Sequence, residues 1–271
     1  MKRSDTVKKS ISYLYIAIIF VLLYAPLVVL FVFSFTESKA FGKWDGFSFQ
    51  PYIDLFTSRE SAKIMNAVSN TLILALVSSV ISTVLGTLAA IGIYNMKARS
   101  RKILTGVNQL PLVNAEIVSA VGLMMLFASL LGIKSGWTTL IIGHVSFCTP
   151  YVVLAVMPRL YQMDGNIYEA ALDLGATPQK ALTKVLLPTL KAGIISGFVM
   201  AFTMSLDDFV ITIFNNGSVE TLSTYIWSDS KKGGLEPTTK ALSVLIFLIV
   251  LVVLIIVNVK KSKQFKERNA E

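Results

Sequence analysis

The stretch IMNAVSNTLILALVSSVISTVLGTLAAIGIYNM, residues 64–96, runs for 33 residues without a charge. About 20 apolar residues in a helix cross the hydrocarbon of a bilayer, so this stretch predicts a membrane span. It must be helical, because an open sheet would strand unpaired N–H and C=O groups in lipid. Uncharged runs recur on both sides, at 10–36, at 103–133 broken only by Glu116, at 135–158, at 192–219 broken only by Asp207 and Asp208, and at 241–259. They predict an all-α, polytopic membrane protein with six transmembrane helices, at about 11–33, 68–94, 105–131, 137–158, 190–213 and 241–259.

The composition agrees. Of 271 residues, 54% are hydrophobic and 15% charged, against roughly a quarter charged in a soluble domain, which excludes disorder and an ordinary cytosolic enzyme. The first run exceeds twenty residues and ends without a small-x-small cleavage site, so it is expected to stay as an anchor. The net charge of +9 sorts by position. Lys2, Arg3, Lys8 and Lys9 precede the first span, and Lys97, Arg99, Arg101 and Lys102 follow the second. By the positive-inside rule these segments are cytoplasmic. Residues 1–10 then form a cytoplasmic N-terminus, 260–271 a cytoplasmic tail, and 17 of the 25 basic residues face the cytoplasm. The excess positive charge reports topology and lipid contact, not nucleic acid.

Between the fourth and fifth spans lies the polar segment 159–188, RLYQMDGNIYEAALDLGATPQKALTKVLLP. Its punctuation predicts two short helices. Asn166 is a candidate cap for the first, with Glu169 three residues on, and Gly175 supplies the left-handed stop. Thr177 caps the second, with Pro178 at its first position, and Pro188 ends it and opens the fifth span. Ile167, Ala170, Ala171 and Leu174 share one apolar face that two alanines keep shallow. On these residues alone the segment is either a docking surface or a hairpin covering the mouth of the bundle.

Glu169-Ala170-Ala171, then Gly175, then a spacer ending at Pro188, resembles the EAA motif of type I ABC importer permeases. The stretches 143–153 (GHVSFCTPYVV), 201–210 (AFTMSLDDFV) and 41–47 (FGKWDGF) are similar to the PotC-type permeases of spermidine/putrescine importers. The resemblance implies a MetI-like fold, with Glu169, Ala170, Ala171, Gly175 and Pro188 coupling the chain to a separate ATPase. It implies as partners a second, PotB-like permease, a PotA-like ATPase dimer and a PotD-like extracytoplasmic binding protein. It further implies a polyamine substrate and a bacterial cytoplasmic membrane. At Asn114-Ala115-Glu116 the sequence departs from relatives that tend to carry an aspartate.

Three carboxylates lie inside the expected spans, Glu116, Asp207 and Asp208, with no basic residue deep in any span to pair with them. Acidic groups at membrane depth are costly and are paired, wet or functional. A path lined by carboxylates favours cationic solutes. Local roles compete with this: Glu116 could serve a kink near Pro111 and Asn114, and the aspartates could cap a broken helix. Adjacent residues point about 100° apart on a helix, so one aspartate is expected to face the path and the other to cap or pair. Trp44, in the aromatic segment 34–66 expected outside, could anchor at the interface or contact an ammonium by cation–π attraction.

No G-x-x-x-x-G-K-[ST] phosphate loop occurs, so ATP hydrolysis is expected on a partner and no enzymatic activity here. The single Cys148 excludes an intrachain disulfide, and the lone His144 cannot build a zinc site, so neither metal nor cofactor is expected. His144 reads as a packing or hydrogen-bonding residue. Two other readings stay open: an ABC permease for another cationic solute or metal complex, and a secondary transporter driven by an ion gradient, against which the 159–188 insert speaks.

Overall fold

The computed structural model describes residues 2–40, 42–58 and 60–268. Phe41 of the aromatic segment and the last three residues of the tail lie outside these. Every regular element among the described residues is helical: α1 Lys2–Phe33, α2 Gln50–Thr57, α3 Ser61–Tyr94, α4 Ala98–Val113, α5 Glu116–Met125, α6 Trp137–Gln162, α7 Ile167–Asp173, α8 Pro178–Ala181, α9 Leu187–Asp207, α10 Val210–Asn215, α11 Leu222–Ser230 and α12 Pro237–Arg268. The chain forms two compact units, residues 65–225 and the two chain ends, 1–64 with 226–271.

Among the described residues, four helices are long and apolar enough to cross a membrane: Tyr13–Phe33, Ser61–Tyr94, Trp137–Gln162 and Pro178–Asp207. Where 105–131 reads as one span, α4 and α5 meet at 100°. Asn114 and Ala115 are extended, with ψ of 147° and 125°. Pro111 removes one helical donor just upstream, and the Asn114 side chain bonds to Ser119 Oγ at 3.0 Å across the break. The apolar part of the last helix, Pro237–Val252, falls in the shorter class.

The core of the 65–225 unit lies where α6 meets α3 and α9. Its buried members include Ala90, Cys148, Val152, Val156, Leu160, Leu190 and Ala201. One face of α9 carries Gly193, Gly197, Ala201 and Ser205, all buried, a small residue every four positions. Lipid supplies no hydrophobic drive between helices, so close backbone approach and dispersion must hold them together. A Cβ at Gly197 would stand 2.9 Å from Val152 Cγ1, and one at Gly86 on α3 would stand 2.6 Å from Val152 Cβ. Val152, fully buried, is wedged between two glycines of different helices.

The insert departs from two separate short helices. α8 runs through a π turn, Leu182–Leu186, into α9, so Pro178–Asp207 is one helix of 30 residues. Pro188 therefore does not end a helix. In the π turn Leu187 N–H donates to Leu182 O, an i→i−5 bond that widens the helix directly before the proline.

In the unit made of the chain ends, Phe35 gathers Phe47, Phe49 and Tyr52 at ring separations of 5.1–5.6 Å. The Asp229 carboxylate accepts from Glu236 N at 2.9 Å and Thr239 Oγ1 at 2.8 Å, capping the start of α12. Buried Lys240 donates to Ser38 O at 2.8 Å. Lys39 pairs with Glu236 at 2.6 Å, and that carboxylate raises the Lys39 pKa above its ordinary value.

Candidate functional site

The helix Pro178–Asp207 ends in the aspartate pair, and the backbone at Asp208 turns extended, with ψ of 128°, before α10 begins. The two neighbours take different surroundings. Asp207 is exposed. Asp208 is 7% exposed, and its carboxylate caps α10: Oδ1 accepts from Ile211 N at 3.3 Å, and Oδ2 from Thr212 N at 2.9 Å and Thr212 Oγ1 at 2.8 Å. These three partners are donors, and the Glu116 carboxyl lies within hydrogen-bonding reach as a further neighbour.

α6 contributes the buried His144. Its Nδ1 lies 2.7 Å from Ser205 Oγ on α9, and its Nε2 lies 3.0 Å from Thr212 Oγ1 and 3.4 Å from Asp208 Oδ2. One ring thus touches both sides of the break between α9 and α10. This agrees with the hydrogen-bonding role read from the sequence. Ser205 and Thr212 were not legible as its partners, because they lie 61 and 68 positions away in the chain.

Glu116, half-buried, opens α5 at the other break and lies close enough to Asp208 and Asp207 to interact with both. α5 and α10 are joined by Asn215, whose Nδ2 donates to Ala120 O at 3.4 Å and to Ile211 O at 2.9 Å. Three carboxylates from two broken spans therefore gather in one place. Trp44 belongs to the unit of the chain ends, 46% exposed, with its ring edge-on to Phe33 at 6.0 Å.

At the insert, Asn166 is not the cap expected of it. It has helical backbone angles and makes no side-chain capping bond; the Asp164 carboxylate instead accepts from Asn166 N at 3.0 Å. Thr177 does cap α8, accepting from Lys180 N at 3.4 Å. Gly175 adopts φ of +84°, Ala176 N–H donates to Ala171 O and Gly175 N–H to Leu172 O. This paired closure needs a left-handed residue after the helix. The result is an exposed ridge of Glu169, Ala170, Asp173, Leu174 and Gly175, with Leu174 89% exposed. Ala171 is half-buried, and Pro188 lies exposed within the continuous helix. Behind the ridge a cleft of about 500 Å³ is lined by Tyr94, Asn95, Tyr168, Glu169 and Gln179 among others.

The family described as binding-protein-dependent transport system inner membrane component matches residues 82–260. The spermidine/putrescine transport system permease protein PotC of Escherichia coli (strain K12) is 34% identical over 229 residues, covering 84% of this chain and 85% of that protein. The putrescine transport system permease protein PotI of the same strain is 36% identical over 234 residues, covering 84% and 82%. Among solved structures, a chain of a bacterial ABC transporter involved in the import of the acidic polysaccharide alginate superposes with a TM-score of 0.72 at 15% identity, over 94% of this chain and 97% of that one. A chain of the MetNI methionine ABC transporter gives 0.59 at 19% identity, over 73% and 94%. These likenesses show the fold, that of MetI-like type I importer permeases.

Proposed function

Because the chain belongs to the binding-protein-dependent transport system inner membrane component family, and is thus a multi-pass permease subunit of an ABC importer, we propose that it forms half of a polyamine path and couples to its ATPase through the 159–188 insert. Spermidine and putrescine are the solutes in this reading. A PotB-like permease supplies the other half of the path, a PotA-like ATPase dimer the energy, and a PotD-like binding protein the delivery. The layout stays as read from the sequence: cytoplasmic termini at 1–10 and 260–271, a membrane domain over 11–259, and the insert inside.

The observation that carries this reading is the continuity of Pro178–Asp207. The helix begins in the insert and ends at the aspartates, so at 1.5 Å per residue it joins them over about 45 Å. ATP-driven movement at α7 and α8 reaches Asp207 through a single rod, and alternating access follows as a shift between two arrangements of packed helices. Glu116 and exposed Asp207 offer negative charge to an ammonium, and Trp44 supports the outer mouth by cation–π contact. A carboxylate pair without a fixed cation repels anions and leaves an oligoamine, with charges spaced along methylenes, as the fitting solute.

The test is co-purification with the partner subunits, then uptake of labelled spermidine, putrescine and a metal control into proteoliposomes. Amine uptake that requires ATP and an active ATPase supports the reading. Uptake of the metal alone, or amine uptake that persists with an ATPase-dead partner and collapses with an uncoupler, refutes it.

A further inference from the structure

Asp207 and Asp208 are chemically equal, yet one is exposed and the other buried, and an imidazole lies 3.4 Å from the buried one. We propose that His144 is the positioning residue that holds Asp208 inward and so leaves Asp207 as the carboxylate presented to the cationic solute; this rests on the amine-importer reading above.

The protons fix the arrangement. Thr212 has one hydroxyl proton, and the nearer of the two Asp208 acceptors in its reach is Oδ2 at 2.8 Å, against 3.3 Å for the main-chain oxygen. The Thr212 hydroxyl therefore donates its one proton to Oδ2. Thr212 Oγ1 can then only accept from the ring nitrogen 3.0 Å away, which places the ring proton on Nε2. In the neutral ring Nδ1 is left as an acceptor, and the Ser205 hydroxyl at 2.7 Å donates to it. Ser205 O–H to Nδ1, Nε2–H to Thr212 Oγ1 and Thr212 O–H to Asp208 Oδ2 use each proton once.

The same Nε2–H faces Asp208 Oδ2 at 3.4 Å, where both side chains are 1% exposed. No bulk water reaches the pair to replace a lost donor. Ser205 lies before the break and Thr212 after it, so the ring fixes how far the chain turns between α9 and α10. With Asp208 held toward α6, the residue before it is carried to the exposed side; Glu116 interacts first with Asp208 and less with Asp207.

His144 is the only histidine of the chain, which gives a test independent of transport. The assembled transporter is produced with ¹⁵N-histidine, and the spectrum of a His144→Gln transporter is subtracted. The expected difference is one neutral imidazole with Nε2 protonated and Nδ1 bare. An Nδ1–H tautomer or an imidazolium overturns the assignment. The transport arm compares His144→Gln, which keeps an N–H near the place of Nε2, with His144→Leu, which keeps bulk alone. Losing the donor to a buried acceptor is expected to raise the KM for spermidine about tenfold in His144→Leu, while His144→Gln stays within about threefold. Equal KM in His144→Leu and wild type, or equal loss in both variants, refutes the positioning role. The expected tautomer in a wild-type transporter that moves no amine refutes the importer reading and leaves the ring geometry standing.

Discussion

Gly197→Ala is the sharpest probe of the packing that carries the site. The added Cβ would lie 2.9 Å from Val152 Cγ1 and 3.3 Å from Val152 Cα, where carbon atoms prefer about 3.5–4.0 Å. The seam between α6 and α9 must open by about half an ångström, and overpacking of this kind costs about 1–3 kcal/mol. Alanine also gains about 0.8–1.0 kcal/mol of helix propensity over glycine, which masks part of the loss. Gly92→Ala in α3 supplies the correction, because its Cβ meets nothing within 4 Å and carries the propensity gain alone. The difference between the two variants isolates the contact. A loss of about 1–3 kcal/mol lowers the folded-to-unfolded ratio by a factor of about 5 to 150. Unfolding equilibria of the purified transporter in mixed micelles measure it. Val152→Ala removes Cγ1 and leaves Cβ at 3.5 Å from the new methyl, so the double variant should show favourable coupling of about 0.5–3 kcal/mol. Equal shifts for Gly197→Ala and Gly92→Ala, or no coupling with Val152→Ala, would refute the wedge.

The aspartates should separate cleanly: Asp207→Asn leaves the unfolding midpoint in place and lowers spermidine uptake, whereas Asp208→Asn destabilises by about 1.5–3 kcal/mol through lost charged hydrogen bonds. Identical behaviour of the two in uptake and unfolding contradicts the assigned roles. Gly175→Val forces a β-branched residue to φ of +84°, so α7 should lose its closure; membrane insertion persists and ATPase association, followed by pull-down, is lost. Leu174→Ser removes a side chain that is 89% exposed, and stability should shift by no more than about 0.5 kcal/mol. Its affinity for the ATPase subunit, read by titration, should fall about tenfold or more through lost apolar burial; unchanged affinity contradicts the docking role of the ridge.

Much of the insert was legible because its signals are local. Thr177 accepts from a residue three positions on, and Gly175 closes the turn it follows, so short-range rules were sufficient. Asn166 misled because Asp164, two residues away, competes for the same turn and reaches the backbone first. Pro188 misled for a related reason: a proline stops a regular helix, and the π turn that accommodates it leaves no mark in residue type.

By itself the sequence determined which segments are apolar enough for lipid, where basic residues cluster, where the polar 159–188 insert lies and that three carboxylates sit in otherwise uncharged runs. Hydropathy and charge act residue by residue, and the bilayer reads them without knowing what packs against what. The tertiary structure alone decided that 105–131 folds as two helices at 100°, that Val152 is held between Gly86 and Gly197, and that Asp208 turns inward while Asp207 stays exposed. Those outcomes rest on partners far away in the chain, such as His144 with Ser205 and Thr212, 61 and 68 positions apart. A buried donor or acceptor must find its partner wherever the fold brings one, and a pattern of nearest neighbours carries no record of that meeting.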